Sequence, residues 1–318
     1  MKAKVLLAAA GIAMGIGCGA AAPALQLSFP VDCRVGQSCE IQNYMDRDAA
    51  KGAAKDYRGG SLSYDDHDGT DIRVRSLADS ARGVRVLAAA DGKVLRVRDG
   101  VADVSVRTEG RAEAIASRKC GNGVVIEHGG DYTTQYCHMA RGSLTVKPGD
   151  VVKAGQPIGL IGLSGQTEYP HLHFVVRQGS AIIDPFAPAE GRSLWKTPPA
   201  YRARAVLNTG FRTEPVTMEQ VEAGGEQPIT AAAPLLVAYA RAIGLKAGDE
   251  QELTLTAPDG TVLATQRLQP LASNKAHAHM FVGKRRPAAG WPAGSYTARF
   301  RVWGGGKVVL EQAFRTTL

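Results

Sequence analysis

A chain of 318 residues, 44% apolar and with 37 glycines, holds enough material for two ordinary domains with real cores and many turns. Its formal charge of +8 comes from dispersed Lys and Arg rather than blocks, which suits an anionic surface such as a cell wall or membrane, would also fit nucleic acid, and fits plain solubility equally well. Beyond the N-terminus no run is long and apolar enough for a membrane helix.

The opening stretch, MKAKVLLAAAGIAMGIGCGAAAPA, has Lys2 and Lys4, an apolar run from Val5 to Ile16, and then Ala22-Pro23-Ala24. That is the layout of a secretory signal, with cleavage expected after Ala24. Lipidation of a new N-terminal Cys18 is the alternative, although Gly15 stands where such signals carry an aliphatic residue. Removing residues 1–24 leaves 294 residues, a charge of +6 and Cys33, Cys39, Cys120 and Cys137. An even number of cysteines in an exported chain points to two disulfides, a small Cys33–Cys39 loop and a Cys120–Cys137 link between strands. The lack of any C-x-x-C pair argues against a thiolate zinc site. The expected location is the periplasm, with an extracellular or lipid-anchored form as the alternative. No nucleic-acid partner and no stable membrane anchor after signal removal are expected.

An N-terminal segment, 25–63, carries the Cys33/Cys39 loop and precedes SYDDHDGTDIRV, where His67 and Asp71 stand four apart. Gly69 and Thr70 between them disfavour a helix, so the spacing predicts a loop leading into a strand. From about residue 84 the texture is short β runs broken by Gly, Asp and Pro. VRVLAAADGKVLRVRDG turns at Asp91-Gly92, and GNGVVIEHGGDYTTQYCHM reads as a hairpin turning at Gly129-Gly130-Asp131. EYPHLHFVV is a strand with His171 and His173 on one face, since side chains i and i+2 point the same way. Two neighbouring imidazoles in an apolar strand need a compensating group, and two imidazoles with a carboxylate and water are a usual catalytic zinc set. A break after Asp184-Pro185-Phe186 leads to a second β region with a hairpin at Asp259-Gly260, which suggests an immunoglobulin-like sandwich. The expected organisation is a signal at 1–24, the segment 25–63, a metallopeptidase domain at 64–196 and a β-sandwich at 197–318.

HDGTD, VLAAADGKV, GNGVVIEHGGDYTTQYCHM, VKPGDVVKAGQPIGLIGLSG and PHLHF, in that order over residues 64–186, resemble the zinc metalloendopeptidases of the lysostaphin and LytM type, which cut peptidoglycan peptides. The resemblance implies an all-β fold with a mostly antiparallel core, of the duplicated-hybrid-motif kind, and a site in a groove on one sheet. It implies one Zn2+ ion held by His67, Asp71 and His173, with His171 as a catalytic histidine and His138 as its partner. None of the five departs from the pattern. The chemistry is coherent by itself, because zinc acts as a Lewis acid while one imidazole takes a proton and another stabilises an oxyanion or protonates a leaving amine.

The expected function is therefore an exported zinc endopeptidase acting on stem peptides or cross-links of peptidoglycan. A D-alanine to diamino-acid cross-link is the first choice of bond, with glycine bridges or a protein substrate as alternatives. The other class is a latent or non-catalytic module that regulates another wall hydrolase, with segment 25–63 covering the groove. Its expected mark, a missing ligand, is absent. His128 reads as structural or groove-lining. His277 and His279 in KAHAHM lack partners in the sequence and read as an exposed strand face. The C-terminal domain is left with three roles: binding wall polymer, packing on the catalytic domain, or contacting a protein partner.

Overall fold

The structure, a computed structural model, describes residues 25–188, 191–225 and 227–318, so the expected signal segment and Cys18 lie outside the described residues. The first part of the chain forms β1 (Cys39–Asn43), β2 (Thr70–Val74), α1 (Leu77–Ala81), β3 (Arg85–Leu87), β4 (Gly92–Arg98), α2 (Arg111–Ala114), β5 (Asn122–Glu127), β6 (Tyr132–Met139), β7 (Val151–Val152), β8 (Pro157–Leu160), β9 (His171–Gln178) and β10 (Ala181–Ile183). Eight of these strands make one antiparallel sheet in the order β1-β2-β9-β6-β5-β4-β7, with β10 folded back on the end of β9. A small second sheet pairs β3 with β8.

Alternation explains which face of the main sheet is which. On β9, Leu172, Phe174 and Val176 are buried in the core, while His171 and His173 point the other way. On β2, Ile72 and Val74 enter the same core and Asp71 and Arg73 take the opposite face. Each fully buried side chain of this size stabilises the fold by roughly 1.5–3 kcal/mol before entropy is counted. The hairpin turn between β5 and β6 places Gly129, Gly130 and Asp131 at positive φ, as a tight reversal requires.

Segment 25–63 is built into this sheet. β1 is its edge strand, Leu27 bridges Trp195, and Leu27, Val31, Ile41 and Tyr44 are buried in the common core. Deleting residues 25–60 would remove a strand and part of the core, so it would not simply uncover a groove. Disulfides join Cys33 to Cys39 and Cys120 to Cys137, as expected.

The second part comprises β11 (Ala205–Arg212), α3 (Met218–Ala223), β12 (Leu235–Leu245), β13 (Glu250–Thr256), β14 (Val262–Arg267), β15 (Lys275–Arg285), β16 (Ser295–Gly304) and β17 (Lys307–Thr317). They form a three-stranded sheet, β11-β12-β15, and a four-stranded sheet, β14-β13-β16-β17. The two share one core, with Leu236, Ala238 and Met280 on one sheet and Leu253, Leu255 and Phe300 on the other. This is an immunoglobulin-like β-sandwich. Tyr296, near the start of β16, donates from its hydroxyl to the Pro292 carbonyl at 2.8 Å, the tyrosine corner of such sandwiches.

The sandwich is tied to the first part by buried charge. Glu222 on α3 accepts hydrogen bonds from Arg73 on β2 and from Arg241 on β12, and both guanidinium groups are buried. Arg241 also donates to the Arg75 carbonyl at 2.6 Å, and Tyr201 donates to Asp56 at 2.8 Å.

Candidate metal centre

Asp71 and His173 are direct partners across β2 and β9, so both side chains stand on one face. His67 arrives from the loop before β2, where its Nδ1 donates to the Tyr44 carbonyl at 2.7 Å and its Nε2 turns toward the other two. The three donor atoms form a small triangle. His67 Nε2 lies 3.1 Å from Asp71 Oδ1 and 3.3 Å from His173 Nδ1, and His173 Nδ1 lies 2.9 Å from Asp71 Oδ1. A tetrahedral ion with bonds of about 2.0–2.1 Å has ligand atoms about 3.3 Å apart, so the donor set and spacing fit zinc. Gly69 permits this packing, because a Cβ there would sit 2.7 Å from the His173 ring and 2.8 Å from the Phe174 carbonyl.

His171, two residues before His173, reaches the same point with its Nε2 3.4 Å from Asp71 Oδ1. Its Nδ1 is held by the Tyr169 carbonyl at 3.0 Å and the Thr167 hydroxyl at 3.1 Å. His138 stands across from it, the two ring centroids 4.7 Å apart. Simple alternation would not put His138 here, since Tyr136 two residues earlier faces the core. Between Tyr136 and Met139, β6 carries one residue more than the facing stretch of β5, and His138 adopts φ 63°. That bulge swings the imidazole onto the groove face and returns Met139 to the core. A non-glycine residue held there costs about 1–3 kcal/mol, a strain met most often at functional sites. His138 Nδ1 donates to the Ser164 carbonyl at 2.8 Å, leaving Nε2 with its lone pair in the neutral ring.

Burial, together with the neighbouring imidazoles of His171 and His173, pushes His138 well below the ordinary histidine range. His173 goes the other way. Burial opposes its charge, but hydrogen bonds to Asp68 and Asp71 outweigh burial and raise it to about 9. For Asp71, burial favours the acid, yet the charges of His67 and His171 dominate and hold the carboxyl well below its usual range. Three titratable groups of one buried cluster, His138, His173 and Asp71, with their pKa values driven apart, make the pattern of a working site.

Residues 65–185 match the model of peptidase family M23. This segment is an M23-family domain. Among curated proteins, the chain is 40% identical over 82 residues to the peptidoglycan DD-endopeptidase ShyB of Vibrio cholerae, a match covering 25% of this chain and 19% of that protein. It is 30% identical over 105 residues to the murein hydrolase activator NlpD of Escherichia coli, covering 33% and 23%. A zinc-containing peptidase from Vibrio cholerae is similar in structure, with 28% identity, 45% of this chain and 38% of that one covered, and a TM-score of 0.29. The chain spans about a fifth of the first two curated relatives.

The M23 domain thus brings together all five residues singled out from the sequence. It also engages residues that sequence reasoning missed. Asp68 Oδ1 lies 3.0 Å from His173 Nε2, and Asn43 Nδ2 donates to Asp71 Oδ2 at 2.9 Å. Asp68 had a signal, since it stands inside HDGTD, whereas Asn43 is placed only by strand pairing. His128 lies away from the triangle, bonded to the Asp91 carbonyl and the Thr134 hydroxyl, a structural role. His277 is half-buried and lines the groove beside the M23 site, which corrects the expectation of an exposed strand face.

Proposed function

We propose that the chain is an exported zinc-dependent endopeptidase that hydrolyses peptide bonds in peptidoglycan stem peptides or cross-links. The observation that carries this reading is the triangle of His67, Asp71 and His173 with two further imidazoles beside it, inside an M23 domain. His67, Asp71 and His173 would hold the ion, and zinc bound there supplies Lewis acidity that polarises a peptide carbonyl and makes water acidic near neutrality. His138, kept neutral by its burial and with Nε2 free, takes the proton from attacking water. His171, its Nδ1 held by Thr167 and Tyr169, donates in its protonated form from Nε2 toward the developing oxyanion or the leaving amine. Asp68 and Asn43 fix the orientations of His173 and Asp71. Two formed disulfides support an oxidising compartment, and so support export, with the periplasm as the location.

Similarity to a murein hydrolase activator favours a second reading, a regulatory module without turnover. The complete residue set argues for catalysis. Incubating the zinc-loaded protein with purified peptidoglycan, beside His171→Ala, and identifying released fragments by mass spectrometry separates the two. Fragments from the wild type alone support the endopeptidase and name the bond. Silence from both proteins, with zinc bound, rejects it in favour of the regulatory reading.

A further inference from the structure

The groove above the candidate metal centre is a cleft of about 630 Å³, and the M23 domain does not line it alone. Asp71, His138 and His171 line it from the main sheet, Ser61–Ser63 from the N-terminal segment, and Asn274–His277 from the sandwich. The approach of these parts is tight. Gly244 on β12 has φ +68°, and a Cβ there would sit 2.6 Å from the Ala203 carbonyl and 2.8 Å from Leu62. The ion cluster of Arg73, Glu222 and Arg241 holds the sandwich in this position.

The charges lining the cleft are unequal in what they are free to do. Asp71 is committed to the imidazoles, and Glu168 accepts from Arg107 at 2.6 Å. Lys275, at the start of β15, is the one Lys or Arg that lines the cleft among the described residues, and it forms no ion pair there. His277 lies two residues on, on the same face of the strand, and its Nδ1 is buried without a hydrogen-bond partner among the described residues. Burial and the nearby guanidinium groups of Arg73, Arg241 and Arg107 hold its imidazole below the ordinary range, a sign of positive potential at this end.

An uncommitted ammonium at the positive end of a cleft suits an anionic group. We propose that the sandwich is part of the substrate site, with Lys275 binding a free carboxylate of the peptide in the part of the cleft lined by His277 and so setting which peptide is cut. The proposal rests on the endopeptidase reading above and deepens it by naming the substrate class: a peptide with a free carboxylate within reach of the scissile bond.

The test uses the full zinc-loaded chain and a purified cross-linked muropeptide dimer, either with free carboxylates or with the same carboxylates amidated. The wild type is expected to show a KM about tenfold lower for the free form, the worth of one charge-assisted contact. Lys275→Ala should lose this preference through KM rather than kcat, and Lys275→Glu should reverse it. Lys275 is exposed, so both variants should keep the wild-type melting temperature. Equal KM values for the two dimers in the wild type, or an undiminished preference in Lys275→Ala, would overturn the proposal. If the wild type cleaves neither dimer, the endopeptidase reading fails. Calorimetric binding of the free dimer then decides the proposal separately. Tighter binding by the wild type than by Lys275→Glu supports it, and equal or absent binding by both rejects it.

Discussion

Asp68→Asn tests the proposed metal centre without touching a ligand. Asp68 Oδ1 stands 3.0 Å from His173 Nε2, on the far side of the ring from the donor atom Nδ1. The amide keeps the shape and an acceptor oxygen but loses the charge. A hydrogen bond to a charged group contributes roughly 1.5–3 kcal/mol and a neutral one about 1 kcal/mol. The difference, about 1.2 kcal/mol at its centre, is close to tenfold in zinc affinity. Asp68 is partly exposed and shared with Arg177, which places the effect at the low end of the roughly 10–100-fold range for groups that support metal ligands.

The sign of the pH dependence adds a second readout. Metal must displace the proton from His173, whose pKa is raised to about 9 because the hydrogen bonds to Asp68 and Asp71 outweigh burial. Wild-type affinity should therefore climb with pH until about 9. The variant holds that proton less tightly, so its affinity should level off earlier. The tenfold gap should be full above about pH 9 and narrow toward neutrality. Competition against a chelator of known affinity, at both ends of that range, measures it. Equal zinc affinity of the two proteins above about pH 9 would refute the role given to Asp68.

Three further perturbations follow from the packing. Gly69→Ala forces a methyl against the His173 ring and the Phe174 carbonyl, and should cost about 2 kcal/mol of stability and weaken zinc binding, both read by melting with and without metal. An unchanged melting temperature would contradict the close approach. Glu222→Gln leaves two buried guanidinium groups without their carboxylate and should destabilise the joint by about 3 kcal/mol; limited proteolysis should then release the sandwich faster than in the wild type. Replacing Cys120 and Cys137 with Ser opens a link spanning 17 residues and should cost about 3 kcal/mol in urea unfolding; a loss below about 1 kcal/mol would show that the link does not constrain the unfolded chain in the expected way.

Much of the site was legible in the chain because its parts are local. H-x-H within a strand places both side chains on one face by the period of the strand, while His67 and Asp71 were marked by the resemblance of HDGTD, and the structure sets His67, Asp71, His171 and His173 around one point. The cysteine pairing and the hairpin turns were legible for the same reason. Asp68 stood in the motif but carried no mark of its role, because what it does depends on a ring more than a hundred residues away.

Three features were decided only by tertiary structure. The resemblance named His138, but alternation from Tyr136 would assign it to the core, and the way it reaches the groove, a bulge against β5 with φ 63°, is decided by the tertiary structure. Segment 25–63 carries no strong strand pattern, yet it supplies the edge strand and the Asn43 contact to Asp71 because an open edge was available to pair. His277 has no partner in its own stretch of sequence. It reaches the cleft because buried ion pairs, made between residues far apart in the chain, dock the sandwich against the sheet. Sequence periodicity specifies which way a side chain leaves its own strand, while register irregularities and the docking of one unit on another specify what that side chain meets.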